Sequence, residues 1–412
     1  MSNPFSALKT KNFRIYWLGM AVSTIGTWMQ NIAQPWLAYK LTDSALRISL
    51  VSALQYLPML LLALFAGVFV DRVSKKKILL FTQSASLGIV LVIALLVSSG
   101  TIQYWHLLVA AAALGCVNTL DMPARQAFLN ELVPKEELMD AIALNSAVFN
   151  MARTIGPAVA GVVMEFWGIA ACFYGNALSF AAVVISLFFI HSKPSVRSLG
   201  AAPRFADMKR DILDGLRYMK EKKILLLTLM GLFTMGIFAL NFSVLVPVFS
   251  KTVLGQAESG YGFLMSCMGM GSFVGAMLVA VQSKKKPTKL VLYGFPILSG
   301  LSLIALALTR SYAPACAAIA FAGYFIIRYT ATANSVLQTS SDPEHLGRVM
   351  SAYTLVFAGT TPLGNLFAGS VAQRFGAAAG FLACGGSLLL LLLPINIYRV
   401  RLSRTEKIEP EE

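Results

Sequence analysis

The feature that most constrains this chain is a series of long apolar runs that contain no charged side chain. Examples are residues 48–70, 78–97 and 169–190. About 20 such residues in one helix cross the ~30 Å hydrocarbon core of a bilayer. The chain is 57% hydrophobic and only 13% charged, which is too apolar for a soluble domain. The runs therefore predict an all-α integral membrane protein.

The basic residues predict how the helices are oriented. The runs indicate twelve helices, near residues 13–38, 46–70, 77–98, 105–126, 139–165, 169–190, 224–249, 259–281, 289–309, 313–335, 349–372 and 377–397. Of 34 Lys and Arg residues, 28 fall in the N-terminal segment, the even-numbered connections and the tail, and 5 on the other side. The positive-inside rule then predicts that both termini are cytoplasmic. It also accounts for the net charge of +15 without a nucleic-acid partner.

Processing and chemistry signals are sparse. The first twenty residues lack a short apolar core with a cleavage site, so we expect the first helix to be retained. The cysteines stand singly in apolar spans and are interpreted as small buried hydrophobic residues: Cys116, Cys172, Cys267, Cys316 and Cys384. No nucleophile–base pair, metal motif or phosphate loop is present, so an enzyme, a cofactor or a metal centre is not expected.

The two halves of the sequence repeat each other. The SKKK at residues 74–77 returns at residues 283–286, and four glycines recur at an offset of 208: Gly115, Gly156, Gly161 and Gly168 match Gly323, Gly364, Gly369 and Gly376. Because this offset spans six helices, both halves enter the membrane from the same side, and a binding site is expected between them. The expected domains are six-helix bundles at 1–192 and 224–398, a cytoplasmic linker at 193–223 and a cytoplasmic tail at 399–412.

Residues 67–76, GVFVDRVSKK, resemble the helix 2–3 loop signature G-x-x-x-D-R-x-G-R-K of the major facilitator superfamily. The segments NFRIYWLG, ALNSAVFNMARTIGPAVAG and GRVMSAYTLVFAGTTPLGNLFAG resemble its enterobactin-exporter-like branch, the transmembrane secretion effectors. The resemblance covers nearly the whole chain. It implies the fold of that superfamily, with two six-helix bundles in a parallel pseudo-two-fold repeat, in the bacterial inner membrane. Ser74 and Lys75 depart from the usual Gly and Arg.

The same loop carries the predicted gate. Gly67 and Asp71 are four residues apart and share a helix face, where a missing side chain lets another helix approach. The resemblance implies that this is the eleventh helix, and that Asp71 faces its positively charged N-terminus. With Arg72 and Lys75, these residues form a predicted cytoplasmic latch. The alternative is that Asp71 and the lysines at 75–77 only mark the cytoplasmic boundary of the membrane.

Asp121 is the candidate for proton coupling. It shares one face of the fourth helix with Asn118 and Arg125, and ionisable residues within a span are costly and so point to function. Asp121 lies only about five residues from the cytoplasmic end of its helix. It is therefore either the coupling carboxylate of an antiporter or the acidic partner of Lys75 or Arg125 in the latch.

Polar side chains within the spans are candidates for a substrate cavity, because an unpaired amide facing lipid costs several kcal/mol. The candidates are Gln30, Asn31 and Gln34 on the first helix, Asn241 on the seventh and Arg328 on the tenth. The alternatives are hydrogen bonds that hold helices together and, for Arg328, a boundary charge.

The fifth helix carries Asn150, Arg153 and the pair Gly156–Pro157 on its polar side. A proline at 157 frees the carbonyl of Arg153 and favours a bend. Gly156, Pro157 and Gly161 resemble a motif shared by exporters of the superfamily, which implies a seal against a neighbouring helix. The alternative is a kink that only improves packing. Arg153 is predicted either to line the cavity as an anchor for a polar or anionic substrate group or to pair with Asp121.

The resemblance implies a secondary active transporter that exports small amphiphilic molecules, siderophore-like or drug-like, by alternating access in exchange for protons. The expected partners are the substrate, protons and the lipid bilayer, and the expected state is a monomer. Two alternatives share the fold, namely an importer of a polar nutrient and a metal-ion exporter. A receptor or scaffold is a third alternative, which the gate loop disfavours.

Overall fold

The protein is entirely helical over the part of the chain that the structure describes. This computed structural model describes residues 6–190, 214, 217–282, 290–342 and 344–405, apart from the side chains of residues 63, 64, 68, 71, 358 and 399–405. Most of the expected linker, the lysines at 284–286 and 289, the Asp71 carboxylate and most of the tail lie outside the description. No strand occurs in the described ranges.

The helices follow the apolar runs closely. They are α1 (Lys11–Thr42), α2 (Ala45–Arg72), α3 (Lys75–Ser98), α4 (Tyr104–Leu132), α5 (Leu138–Trp167), α6 (Ile169–Phe189), α7 (Lys223–Phe238), α8 (Phe242–Thr252), α9 (Glu258–Val281), α10 (Phe295–Leu308), α11 (Tyr312–Thr339), α12 (Leu346–Phe375) and α13 (Ala377–Thr405). Short 3-10 turns cover Ser6–Lys9 and Lys135–Glu137, and a π-helical turn, Leu290–Gly294, precedes α10.

Eleven segments of the described chain are long and apolar enough to cross a membrane, with α7 and α8 together forming one of them. Helix α1 has 32 residues but falls outside this group. Its polar residues between positions 23 and 34 lower its mean hydropathy. With α1 included, the predicted twelve-helix membrane architecture is confirmed.

The span expected as one helix at 224–249 is interrupted. Helix α7 ends at Phe238, and α8 begins at Phe242. At the break, Asn241 Nδ2 donates to the carbonyl oxygen of Ile237 at 2.7 Å. A side chain that bonds to a nearby backbone carbonyl competes with the helix ladder, which accounts for the interruption at this residue.

The helices divide into two units, each described by itself. The first contains residues up to 202 together with 255–266, and the second contains 203–254 and 267–412. Helix α9 therefore begins in the first unit and continues in the second from Cys267. The domain limits expected from the sequence stay a prediction.

The first unit packs α1 against α5 and α6, α2 against α4, and α3 against α4 and α6. Its core near the chain's start includes Phe13 and Phe128, both fully buried, with the Tyr16 ring edge-on to Phe128 at 5.4 Å. Edge-to-face rings of this kind add to the gain from area burial. This core includes residues of α1, α4 and α5, which carry the candidate cavity and proton-coupling residues of the first unit.

The second unit packs α10 against α11 and α13, and α7 against α12 and α13. The repeated glycines perform the same task in each unit. Gly115 on α4 lies against the backbone carbonyl of Gln55 on α2, and Gly323 on α11 lies against that of Met268 on α9. At both positions an added Cβ would collide with a backbone oxygen, so only glycine permits the close approach.

Candidate functional site

Arg153 on α5 is a half-buried guanidinium beside an aromatic pair. Its Nη2 donates to Asn150 Oδ1 at 3.0 Å, and its Cζ lies 6.0 Å from the centre of the Phe149 ring. The Trp28 ring is edge-on to Phe149 at 5.8 Å. The Nε of Arg153 is buried and has no hydrogen-bond partner among the described residues. Arg153 therefore places a cation next to two apolar rings, and its Nε–H remains able to donate a hydrogen bond.

Asp121 does not neutralise Arg153, because it is engaged elsewhere. Its carboxylate pairs with Arg125 one turn later on α4. It also accepts from Thr82 Oγ1 at 2.6 Å and from Gln83 Nε2 at 2.7 Å, both on α3. Asp121 is 3% exposed. Three donors from two helices make this buried carboxylate a junction between α3 and α4.

The ion pair extends to a third helix. Arg125 Nη1 contacts the sulfur of Met20 on α1 at 2.9 Å. Of the partners predicted for Asp121 in the latch, Lys75 and Arg125, the described contacts show Arg125. Lys75, at the start of α3, is buried. Whether Asp121 also carries protons stays a prediction.

The glutamines of α1 belong to a buried chain of amides. Asn176 Nδ2 on α6 donates to Gln30 Oε1 at 2.6 Å, and Gln30 Nε2 donates to Gln34 Oε1 at 3.3 Å. Gln34 Nε2 in turn donates to Gln55 Oε1 on α2 at 3.1 Å. Gln30 and Gln34 are 6% and 7% exposed. The chain connects α1, α2 and α6, and each link satisfies a polar group that would be costly to bury alone.

Gln55 and Asn176 are not among the residues predicted from the sequence, although both are amides within apolar spans. Gly26 lies beside this chain, where an added Cβ would be 2.7 Å from Asn176 Oδ1. Asn31, in contrast, is exposed. The role of Gln30, Asn31 and Gln34 in lining a substrate cavity stays a prediction. The contacts of Gln30 and Gln34 also fit the alternative of hydrogen bonds that hold helices together.

The second unit contains the other two candidates. Asn241, at the break between α7 and α8, has a buried Oδ1 with no partner among the described residues. Arg328 on α11 is 7% exposed, and its Nη2 donates to Gln282 Oε1 at 2.9 Å. Its Cζ lies 5.6 Å from the centre of the Phe295 ring. Arg328 and Arg153 therefore share the same surroundings, an amide acceptor and a phenylalanine ring.

The predicted seal on α5 lies in two close contacts of the first unit. A Cβ on Gly156 would be 2.6 Å from the Cβ of Trp28. A Cβ on Gly161 would be 3.0 Å from the Cα of Ser259 and 3.1 Å from that of Gly262, both on α9. Pro157 joins this contact through its carbonyl oxygen, which faces Gly262. The start of α9 is thereby held against the segment of α5 that contains Pro157.

Glu258, the first residue of α9, was not selected from the sequence. Its carboxylate accepts from Trp36 Nε1 at 3.0 Å and lies 3.7 Å from Lys40 Nζ, both on α1. The Trp36 ring stacks on Tyr261 at 5.3 Å between centres. A carboxylate at the start of an apolar span gives no sequence signal for a partner more than 200 residues away.

The gate loop is described only in part. Gly67 lies on α2 one turn before Asp71, and Arg72 ends that helix with its side chain exposed. Lys76 Nζ donates to the carbonyl oxygen of Ile190 at 2.7 Å, which ties the start of α3 to the end of α6. The latch role of Gly67, Asp71, Arg72 and Lys75 stays a prediction.

Comparison with known proteins agrees with the resemblance. The profile of the transmembrane secretion effector family matches residues 2–412. An uncharacterised MFS-type transporter of Bacillus subtilis is 26% identical, over 90% of this chain and 89% of the relative. The staphyloferrin A transporter of Staphylococcus aureus is 24% identical, over 90% and 91%. The multidrug efflux pump Tap of Mycolicibacterium fortuitum is 25% identical, over 87% and 89%.

The fold has solved counterparts. The crystal structure of a bacterial homologue of the human lysosomal transporter Spinster superposes with a TM-score of 0.71, covering 94% of each chain at 12% identity. This likeness shows the fold alone, and the family match extends across the chain. The resemblance stated from the motifs is confirmed. The chain belongs to the transmembrane secretion effector family of the major facilitator superfamily and is a membrane transporter rather than an enzyme.

Proposed function

We propose that this protein exports small amphiphilic organic molecules across the bacterial inner membrane by alternating access, in exchange for protons. The match to the secretion effector family supports export. Relatives that cover most of the chain are described as a staphyloferrin A transporter and a multidrug efflux pump. Siderophore-like and drug-like molecules are therefore the proposed substrates.

Arg153 is the observation that carries the substrate proposal. Its guanidinium has an amide partner and an aromatic neighbour, and no carboxylate pairs with it among the described residues. An unneutralised cation within a span is costly and points to a functional partner. A substrate with an apolar body and an anionic or strongly accepting group would contact Phe149 and Trp28 with the body and Arg153 with the group.

The conformational part of the proposal uses the α5 seal and the gate loop. Gly156, Pro157 and Gly161 let α5 contact α1 and the start of α9 within the first unit, and we assign these contacts to closing the outer side. Gly67, Asp71, Arg72 and Lys75 are assigned to the cytoplasmic latch. The proposed topology has both termini in the cytoplasm, with bundles at 1–192 and 224–398, and a monomer as the working unit.

The test is transport by inside-out vesicles with a panel of siderophores, hydrophobic drugs and divalent metals, each with and without a proton gradient. We expect uptake of one or more organic compounds, stimulated by the gradient. Arg153→Gln should raise the KM for an anionic substrate at least tenfold, Arg153→Lys should raise it less, and Arg374→Gln, at an exposed position of α12, should leave it unchanged. Transport of metals alone, or no response to the gradient, contradicts the proposal.

A further inference from the structure

Helices α9 and α11 run in parallel register and touch through backbone atoms. Gly271 on α9 lies against the backbone oxygen of Ala320 on α11, and Gly275, one turn later, lies against that of Tyr324. A Cβ on Gly275 would be 2.9 Å from the Tyr324 oxygen. Both pairs differ by the same 49 positions. The shared spacing shows that successive turns of the two helices meet each other.

One turn before Gly271 and Ala320, the same register pairs two cysteines. Cys267 and Cys316 are also 49 positions apart, so the register places them on facing turns of the two helices. Tyr312 lies one turn before Cys316 on the same face of α11. Both cysteines are partly exposed and neither is in a disulfide. A disulfide needs a short Cα separation, about 4.4–6.8 Å, and the backbone contact of the two helices one turn away favours such an approach.

The other cysteines have different surroundings. Cys172 is buried and donates to the carbonyl oxygen of Ala160 at 3.6 Å. Cys384 is buried and accepts from Asn241 Nδ2 at 3.6 Å. Cys116 is exposed on α4. Their facing positions on α9 and α11 therefore set Cys267 and Cys316 apart from the cysteines that act as small apolar residues.

We propose that Cys267 and Cys316 form a redox-active pair, converted to an intrachain disulfide by exchange with a small disulfide donor such as glutathione disulfide. One cysteine thiolate attacks the donor, forms a mixed disulfide and releases one donor thiol. The second cysteine attacks that mixed disulfide, forms the Sγ–Sγ bond and releases the other donor thiol. The donor gains two electrons and the two protons, and α9 becomes covalently joined to α11.

The location suits this chemistry. At ~1.5 Å per residue, Cys316 lies about 6 Å beyond the start of α11 at Tyr312. In the proposed topology this is the outer end of the helix, where disulfides persist. Cys267 is also the first residue of α9 assigned to the second unit. The bond closes a loop of about 50 residues, a length at which a disulfide constrains the unfolded chain appreciably.

The test starts with the reduced, purified protein in detergent, which contains five thiols. After treatment with glutathione disulfide and removal of the reagent, we expect three free thiols, and a peptide map joining Cys267 to Cys316. Cys316→Ser should form no intrachain disulfide and lose at most one of its four thiols, as a mixed disulfide with glutathione, whereas the control Cys116→Ser should fall from four to two. Dithiothreitol should restore every count, and the oxidised wild type should unfold several degrees above the reduced form.

Two results would overturn the proposal. One is a wild-type chain that keeps five free thiols under oxidising exchange. The other is a map in which Cys267 or Cys316 is joined to a different cysteine or to glutathione alone. Because the map uses wild-type protein, the proposal stays testable even if the serine variants fold poorly.

Discussion

At the scale of single residues, the charged side chains of the spans divide, within the described ranges, into those that form an ion pair and those that do not. Asp121 and Arg125 neutralise each other inside α4. Arg153 and Arg328 have amides and phenylalanine rings as neighbours. A buried ion pair is costly to break, because removing one partner leaves the other charge buried alone. The paired residues are thus expected to control stability and the unpaired ones to control binding.

We predict that Asp121→Asn destabilises the protein by about 3–5 kcal/mol, because it leaves the Arg125 guanidinium without its counter-charge. Thermal unfolding in detergent measures the effect. The double variant Asp121→Asn with Arg125→Met should be less destabilised than the sum of the two single variants. Additive losses would show that the pair is not the source of the stability.

A second ion pair outside the spans gives a pH prediction. Lys222 Nζ donates to Asp342 Oδ1 at 2.6 Å, and Tyr218 Oη donates to Asp342 Oδ2 at 2.8 Å. These hydrogen bonds, first from Lys222 and then from Tyr218, lower the pKa of Asp342 below its ordinary 3.8. The bond to Asp342 is likewise the main reason that the pKa of Lys222 is raised above 10.5.

Each of these pKa shifts determines how the stability of the fold changes with pH. A lowered carboxyl pKa stabilises the fold above pH 3.8, and this contribution is lost as the pH falls through the folded-state pKa. The raised pKa of Lys222 gives a contribution to stability that is fully present below pH 10.5. This contribution is lost as the pH rises through the folded-state pKa. We predict that Asp342→Asn lowers the unfolding temperature at pH 7, and that the difference from wild type vanishes once the pH is below the lowered folded-state pKa of Asp342. Glu344→Gln, an exposed neighbour, should show no difference at either pH.

At the scale of elements, the same repeat positions anchor the start of each unit. Thr10 Oγ1 donates to Glu137 Oε2 at 3.1 Å ahead of α5, and the Tyr218 ring stacks on His345 at 4.1 Å ahead of α12. Both residue pairs are related by the offset of 208. The side chains of the two pairs differ, but a contact forms at the same repeat position in each unit. The fold therefore needs a contact at this position and accepts different side chains there.

The α5–α9 contact gives a prediction for the proposed seal. In Gly161→Val, the side chain would meet backbone atoms of Ser259 and Gly262, which cannot rotate away. Overpacking of this kind costs about 1–3 kcal/mol. We expect a lower unfolding temperature and slower transport. Gly88→Val on α3, where nothing lies within 4 Å of an added Cβ, is the control. Equal transport by both variants would contradict the sealing role.

At the scale of the whole molecule, the distribution of Lys and Arg predicts the orientation. In a variant without the native cysteines, Lys284→Cys should resist an impermeant maleimide in intact cells, and Arg310→Cys should react. The physical reason is the positive-inside rule, since 28 basic residues fall on one side and 5 on the other. Labelling of position 284 from outside the cell would show that the predicted topology is inverted, and it would contradict the proposed direction of transport.

The span count and the repeat were predictable because both depend on local sequence. Apolar runs report the length of a membrane helix, and glycines mark close helix approaches wherever the partner lies. The partners themselves were less predictable. Gln55, Asn176 and Glu258 are ordinary polar residues until folding brings them to Gln34, Gln30 and Trp36.

The sequence by itself determined the helical membrane architecture, the two-fold repeat and the family, because hydrophobicity and spacing are encoded residue by residue. Only the tertiary structure decided that Asp121 also binds Thr82 and Gln83, that the α1 glutamines bind Asn176 and Gln55, and that Cys267 and Cys316 lie on facing turns. These contacts connect different helices. Their cause is the cost of burying polar groups alone, which selects a partner in space and leaves no pattern along the chain.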